Sequence, residues 1–347
     1  MKLWRVIAGV LALGFVVAGV TPAWACACGG YMTDVESRAR AAGEKALVRY
    51  DGRGTEEITL SMAIDGSSKK AAWIMPVPNP AKVELGDAEL FRRLEQLTAP
   101  KVVKRTTYWP FRGLAPFDRD GYGSGEAPTA AGGVSVREQM TLGPFEIARL
   151  GGNSATAVTD WLRTNQYVVP DTLGANLTPY VREGWEIVAV KLTPKSAGES
   201  LTGATPPLRL TFASDKIVYP MRLSKGATTA QSVAVHVAAP YRVDATALPV
   251  AGQQPELIYA GRANDPALLA PADYLTTFRV TYYEPGRITS DFTFAKAATD
   301  EPFQQVRYVT RNEARPSTLA ILLGVPLLIG GGFALFRRRS RLQDRAG

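Results

Sequence analysis

The chain has 347 residues, of which 46% are hydrophobic and 21% charged, a composition that excludes a disordered, collagen-like or coiled-coil protein. Its formal charge is +8, but two of its basic residues lie before residue 26 and five lie after residue 336, so the segment 26–316 carries only +2. With the ends set aside, no basic stripe interleaved with aromatic residues remains, and we expect no nucleic-acid partner.

The first 25 residues have the pattern of a signal peptide. Lys2 and Arg5 precede an apolar run, and Ala23-Trp24-Ala25 supplies the small-x-small motif of a cleavage site. Cleavage there would leave Cys26 as the first residue. Lipid attachment to Cys26 is the alternative, but Trp24 fits a lipoprotein signal poorly, and ordinary cleavage is favoured.

Cys26 and Cys28 are the only cysteines of the chain. A disulfide across one intervening residue would close a small, strained ring. A zinc or copper site needs further ligands, and the single histidine, His236, is about 200 residues away. We therefore predict no metal and no cofactor. Redox reactivity, intermolecular pairing and a processing boundary without chemistry stay open for this pair.

Alternating and apolar runs predict mostly strands, with a few helices. The predicted strands cover residues 45–50, 57–64, 71–77, 135–142, 144–150, 185–192, 208–212, 232–238, 257–260 and 274–283. One helix is predicted from an Asp87 cap to Leu97 and a second from about Ser154 to Thr164. A hairpin turn is predicted at residues 65–68, and Pro76, Pro78 and Pro80 are expected to end strand pairing.

These elements predict a strand-rich α+β domain over residues 26–316. A division into two lobes near residues 194–206, where Pro, Gly, Ser and Thr cluster, stays open. Residues 110–133, rich in Gly, Pro and Ala, have the composition of a solvated insertion, with a mobile ligand-binding loop as the alternative.

The uncharged run at residues 317–336 predicts a C-terminal transmembrane helix. Twenty helical residues cover about 30 Å, the thickness of a bilayer's hydrocarbon core. The arginines that follow, Arg337, Arg338, Arg339 and Arg341, orient such a span with residues 337–347 in the cytoplasm and residues 26–316 outside. A buried core helix is the alternative. The preceding Arg315–Leu319 stretch departs from a wall-sorting motif at two positions, which favours retention in the membrane.

An ordered series of local motifs covers most of residues 26–310. It comprises CACGG after the leader, WIMPVPNP from Trp73, TLGPFEIARL from Thr141, WLRTNQYVVP from Trp161, PYVREGWEIVAVKL from Pro179 and LRLTFASDKIVYPMRLS from Leu208. This series resembles the bacterial DUF2330 family of exported, often membrane-anchored proteins of unknown function. The resemblance implies an envelope location and a shared domain, and it supplies no activity, substrate or catalytic residues.

The residues themselves specify no reaction. His236 lies in an alternating strand pattern, where a packed or surface histidine is favoured over a general base, and no nucleophile elbow, phosphate-binding loop or dinucleotide motif is present. The pairs Glu183 with Glu186 and Glu56 with Glu57 are numerically available to a glycosidase. We favour a non-enzymatic, membrane-tethered protein of the cell envelope that binds an envelope protein or an extracellular ligand. An envelope-polymer hydrolase and a redox or metal-handling protein centred on Cys26 and Cys28 are the alternatives.

Overall fold

The computed structural model describes residues 29–33, 37, 39–107, 136–142, 145–150, 155–194, 199–227, 229–312 and 316–343. In this part of the chain the predicted strand-rich α+β class is confirmed. The strands are β1 Gly30–Thr33, β2 Arg40–Tyr50, β3 Thr55–Ser68, β4 Ala71–Val77, β5 Lys82–Leu85, β6 Lys101–Thr107, β7 Val136–Leu142, β8 Phe145–Leu150, β9 Glu186–Leu192, β10 Leu201–Ala204, β11 Leu208–Ala213, β12 Ile217–Tyr219, β13 Gln231–Ala239, β14 Val243–Ala247, β15 Glu256–Arg262, β16 Tyr274–Tyr282, β17 Phe292–Lys296, β18 Phe303–Gln304 and β19 Val306–Asn312. The helices are α1 Leu90–Leu97, α2 Ala155–Thr164, α3 Asp171–Arg182, α4 Pro266–Leu269 and α5 Pro316–Gln343, with short 3-10 turns at Arg222–Gly226 and Pro285–Arg287.

The chain divides into two compact units. The first consists of residues 1–98 and 124–303, and the second of residues 99–123 and 304–347. No boundary falls near residues 194–206, so the two-lobe interpretation is wrong. Leu192 before this stretch and Leu208 after it pack in one core cluster, which is why the Pro- and Gly-rich stretch is a connection within a unit.

Three sheets build the described part of the first unit. Sheet I has the strand order β1-β4-β9-β8-β7, and sheet II the order β18-β15-β16-β13-β2-β3-β11-β5 with β10 added beside β3. Sheet III has the order β12-β17-β14. Most neighbours are antiparallel, and the β13–β2 pair of sheet II is parallel.

Both faces of sheets I and II are covered. Alternate residues of β4, such as Trp73 and Met75, point into the largest core cluster together with Val48 and Leu60 of sheet II. The intervening residues, such as Ile74, pack instead with α2 and α3 in a second cluster. The outer face of sheet II packs in the same way against α1 and α4. Coverage on both faces explains why β4 is apolar throughout rather than alternating.

The hairpin predicted at residues 65–68 is not formed. Those residues continue β3 to Ser68, and β4, which starts at Ala71, belongs to the other sheet. Pro76 also does not end β4, and it pairs with Ile187 of β9. Within the described residues, β1 on the other side of β4 pairs no farther than Ile74, so none of its described residues needs a donor at position 76.

The predicted helix ending at Leu97 exists but begins at Leu90, because Asp87 closes a preceding turn by accepting the Glu89 N–H at 2.9 Å. The helix predicted from about Ser154 to Thr164 is confirmed as α2. Helix α3 was not predicted. It contains Pro179 and Gly174, both of which weaken a helical pattern, and it is held by the packing of Leu173, Leu177 and Tyr180 against sheet I.

In the second unit, α5 runs without interruption from Pro316 to Gln343, through the predicted span and its arginines. Its Leu327, Leu328 and Phe336 side chains are exposed. Among the residues that the structure describes, no helix combines the length and apolarity needed to cross a membrane, so the span predicted at residues 317–336 is not supported.

Candidate binding site

A cleft lies where the chain passes from sheet II to sheet I. On the sheet II side, Leu201 of β10 pairs with Ser68 at the end of β3. On the sheet I side, Leu192 pairs with both Ala71 and Phe145. Residues of β3, β8, β9 and β10 and of the segments that flank β10 line one depression of about 230 Å³ at this corner.

Apolar side chains form the floor of this corner cleft, and polar groups form its rim. Ile64, Phe145 and Leu192 belong to the main core cluster and present their edges to the cleft. Glu199 and Ser200 are exposed at the rim. An apolar floor with a few polar groups at its border is the usual composition of a small-ligand site.

Thr205 fixes the wall of the cleft to β3. Its N–H donates to the Met62 carbonyl at 2.8 Å, its carbonyl accepts the Ser61 hydroxyl at 2.7 Å, and its own Oγ1 accepts the Met62 N–H at 3.0 Å. The register of β10 on β3 shifts between Leu201 and Gly203, and Gly203 has a φ of 72°. The left-handed backbone conformation at this register shift favours glycine.

The cleft can therefore hold an apolar group and place a neighbouring cation or hydrogen-bond donor near a carboxylate. Among its described lining residues, Glu199 is the acidic one. Nothing in the sequence pointed to this site, because its floor comes from residues 64, 145 and 192. The composition of the Pro-containing stretch that contributes to the wall predicts a lobe boundary instead.

The first carboxylate pair predicted from the sequence, Glu56 with Glu57, does not converge. Glu57 forms an ion pair with Arg49, whereas Glu56 is fully buried and accepts the Val218 N–H at 3.0 Å. Successive strand residues point to opposite faces, which separates the two carboxyl groups. Burial raises the pKa of Glu56 well above its usual value, and the Val218 N–H and Lys216 only partly oppose this.

The second pair, Glu183 with Glu186, is likewise divided between two partners. Glu183 lies against the Arg222 guanidinium, whose hydrogen bonds lower the pKa of this carboxyl. Glu186 is buried and accepts the Ala81 N–H at 3.3 Å. Each of these two carboxylates is therefore held by a partner within the fold.

His236 is a buried sheet residue, as its pattern indicated. Its Nδ1 lies 3.0 Å from Thr277 Oγ1 on the neighbouring strand. Burial, with Lys45 and Arg279 nearby, lowers its pKa to about 3. The imidazole is therefore neutral at physiological pH and is a weak base.

The predicted cysteine site lies outside the described residues, since Cys26 and Cys28 precede residue 29. The predicted loop at residues 110–133 also lies outside them. Within the described ranges, no group of three or more His, Cys, Asp and Glu residues is placed to hold a metal ion.

A family model described as "Uncharacterized protein conserved in bacteria (DUF2330)" matches residues 22–295. The chain belongs to the DUF2330 family. The matched region contains the corner cleft of this DUF2330 protein and ends before β19 and α5.

Other comparisons add no function for the DUF2330 protein. No curated protein matches it. The match to the crystal structure of baculovirus P35 covers 78% of this chain and 97% of the P35 chain, with 9% sequence identity and a TM-score of 0.32. A mutated baculovirus P35 after caspase cleavage covers 77% and 100% at 8% identity, also with a TM-score of 0.32. At these scores neither likeness establishes a shared fold.

Proposed function

We propose that this DUF2330 protein is a non-enzymatic binding protein of the bacterial cell envelope, which holds an apolar group of its ligand in the corner cleft. The observation that carries this proposal is the wall fixed by Thr205 above the buried floor of Ile64, Phe145 and Leu192. A wall that is already hydrogen-bonded loses little conformational entropy when a ligand enters.

The proposed ligand carries a cation or hydrogen-bond donor next to its apolar group. The supporting feature is Glu199, an exposed carboxylate at the rim. An exposed charge contributes little affinity but discriminates between ligands of opposite sign.

The envelope location and the membrane tether are part of the same proposal. They are supported by the leader at residues 1–25 and by the uncharged run at 317–336 followed by Arg337, Arg338, Arg339 and Arg341. Exposed Leu and Phe side chains on α5 are costly in water and compatible with a lipid environment. In this arrangement residues 26–316 lie outside and the tail lies in the cytoplasm.

Titration of the purified protein with hexylammonium and hexanoate tests the cleft, with binding followed by NMR. Hexylammonium is expected to bind more tightly, by up to about fivefold, because an exposed carboxylate contributes at most about 1 kcal/mol. Glu199→Gln should abolish the preference, whereas Glu256→Gln, at an exposed site on β15, should leave it intact.

Filling the cleft supplies the second arm of this test. Ala204 is exposed and lines the cleft, so Ala204→Trp should block both probes. The matched control is Ala295→Trp at an exposed position on β17. If the Ala204→Trp variant binds the probes as tightly as the wild type does, the cleft is not the binding site. Turnover of an envelope polymer by the purified protein would contradict the non-enzymatic role.

A further inference from the structure

Strands β6 and β19 form a two-stranded parallel ribbon in the second unit. The register runs from Val306 opposite Lys101 to Asn312 opposite Thr107. Hydrogen bonds continue beyond the strands, since the Lys101 N–H donates to the Gln305 carbonyl at 2.8 Å and Gln304 Nε2 to the Ala99 carbonyl at 2.8 Å. About 200 residues separate the two strands in the sequence, so the sequence alone does not indicate that they pair.

The ribbon exposes apolar side chains that a parallel sheet normally covers. Val102, Val306, Tyr308 and Val309 are 49, 41, 52 and 43% exposed. Parallel sheets occur almost only with both faces covered, and an isolated two-stranded sheet is marginally stable in water. Val306 and Tyr308 lie on one face of the ribbon and Val102 and Val309 on the other, so apolar side chains exposed on both faces indicate an interaction partner.

The charge of the ribbon defines the chemistry of that partner. Its strand sequences, KVVKRTT and VRYVTRN, contain five basic residues and no acidic residue. The 26–316 segment as a whole carries +2, so without the five basic residues of the ribbon it carries −3, and the positive charge is concentrated here. The Arg105 guanidinium lies 3.6 Å from the centre of the Tyr308 ring, which places cationic and aromatic groups side by side.

The ribbon is covalently close to the apolar helix. Only residues 313–315 separate Asn312 at the end of β19 from Pro316 at the start of α5. Four extended residue steps span at most about 14 Å. If α5 is held in a membrane, the end of the ribbon cannot lie farther than this from the headgroup layer.

We propose that the β6–β19 ribbon binds the anionic phospholipid headgroups of the membrane that holds α5. The proposal rests on the membrane tether of the proposed function. Lys and Arg attract the phosphates of anionic lipids at short range, and the valines and tyrosine suit the boundary between headgroups and acyl chains. The ribbon would thereby fix the orientation of the second unit at the membrane surface.

Hydrogen exchange of the full chain tests this surface. The protein is placed in lipid nanodiscs of phosphatidylcholine alone, or with added phosphatidylglycerol, and exchange is followed in peptides covering residues 101–107 and 306–312. We expect exchange in these peptides to slow at least about tenfold when phosphatidylglycerol is present, and the effect to disappear at about 0.5 M salt. Peptides from β4 and β9 should not respond.

Charge variants identify the residues responsible. Replacing Lys101, Lys104, Arg105 and Arg307 with Gln should remove the lipid dependence. Replacing four exposed basic residues of the first unit, Arg53, Lys69, Arg92 and Arg163, with Gln should leave it intact. If the variant with the four ribbon substitutions exchanges at the wild-type rate in phosphatidylcholine alone, its two strands still form.

Three results would overturn the proposal. The first is equal hydrogen exchange of the ribbon peptides in both lipids. The second is slowed exchange that requires two copies of the protein in one nanodisc, and the third is slowed exchange on addition of RNA when no anionic lipid is present. Failure of the tether itself is distinguished separately, because an untethered protein would be released from membranes by alkaline carbonate. A tethered chain with a lipid-insensitive ribbon would contradict only this inference.

Discussion

Arg222 and Asp291 form a buried ion pair, with Arg222 Nε 2.8 Å from Asp291 Oδ2. Asp291 Oδ1 also accepts the Met221 N–H at 2.6 Å and the Tyr180 hydroxyl. The Arg222 guanidinium lies 4.0 Å from the centre of the Tyr180 ring. Since Tyr180 packs with α2 and α3 and Met221 packs in the main core, this network connects the two layers on either side of sheet I.

Replacement of Asp291 with Asn should destabilise the protein by about 1.5–3 kcal/mol, because Arg222 keeps Glu183 as a partner but loses its charged hydrogen bond to the buried Asp291. Urea denaturation at pH 7 measures this change. The control is Glu284→Gln, which breaks an exposed ion pair with Arg287 and should cost less than about 1 kcal/mol. Equal effects of the two substitutions would contradict the role assigned to Asp291.

The single histidine makes the fold sensitive to acid. The native pKa of His236 is about 3, below the ordinary value of 6.5, so between these values the unfolded chain binds a proton that the native protein does not. Stability contributed by the neutral imidazole is therefore lost as pH falls below 6.5, by about 2 kcal/mol between pH 7 and pH 5. His236→Asn should remove this component from denaturation curves measured across that range. If the free energy of unfolding of the His236→Asn variant falls between pH 7 and pH 5 by as much as that of the wild type, His236 is not the source of this acid sensitivity.

Glu56 has the opposite pH dependence. Burial raises its native pKa well above 4.5, so above pH 4.5 the unfolded chain releases a proton that the native protein retains. Its contribution to stability is present at low pH and is lost as pH rises towards the native pKa. Glu56→Gln keeps an acceptor for the Val218 N–H and should gain stability over the wild type by about 1.4 kcal/mol per pH unit in this range. Glu57→Gln, on the opposite face of the strand, is the control for loss of an acidic residue. If Glu56→Gln raises the free energy of unfolding by the same amount at every pH, Glu56 is not protonated in the native protein.

Gly29 cannot carry a side chain. A Cβ at this position would lie 2.2 Å from the Ile74 carbonyl oxygen and 2.6 Å from Trp73 Nε1. Gly29→Ala should therefore weaken the pairing of β1 with β4 and cost about 1–3 kcal/mol of stability, with faster exchange of the β1 amides. Gly43→Ala is the control, since nothing lies within 4 Å of its added Cβ. Normal β1 protection in Gly29→Ala would contradict this packing.

The sequence predicts ten of the nineteen strands found in the described residues, because the apolar patterns of those ten are local. The strand predicted at residues 71–77 coincides with β4, and the described part of the one predicted at 144–150 coincides with β8. Strand partners are not local, which is why the composition of residues 65–68 predicts a hairpin turn although these residues continue β3, and β3 and β4 belong to different sheets. Helix α3 was missed because its stability comes from packing of Leu177 and Tyr180 rather than from its proline-containing pattern.

The sites of interest depend even more on distant contacts. Glu56 and Glu57 were predicted as a pair because they are adjacent, and strand geometry is what separates them. The corner cleft and the β6–β19 ribbon each join segments distant in sequence. Registers between such segments follow from how the sheets pack, which the order of residues alone does not reveal.

The central claim is that the corner cleft engages an envelope ligand, and photo-crosslinking in intact cells tests it most directly. A photoreactive amino acid at Ser200, on the rim, should form a discrete adduct that Ala204→Trp abolishes. The same amino acid at Gln96, exposed on α1, should not form that adduct. An adduct at Ser200 that persists when the cleft is filled, or one that forms equally at Gln96, would contradict the claim.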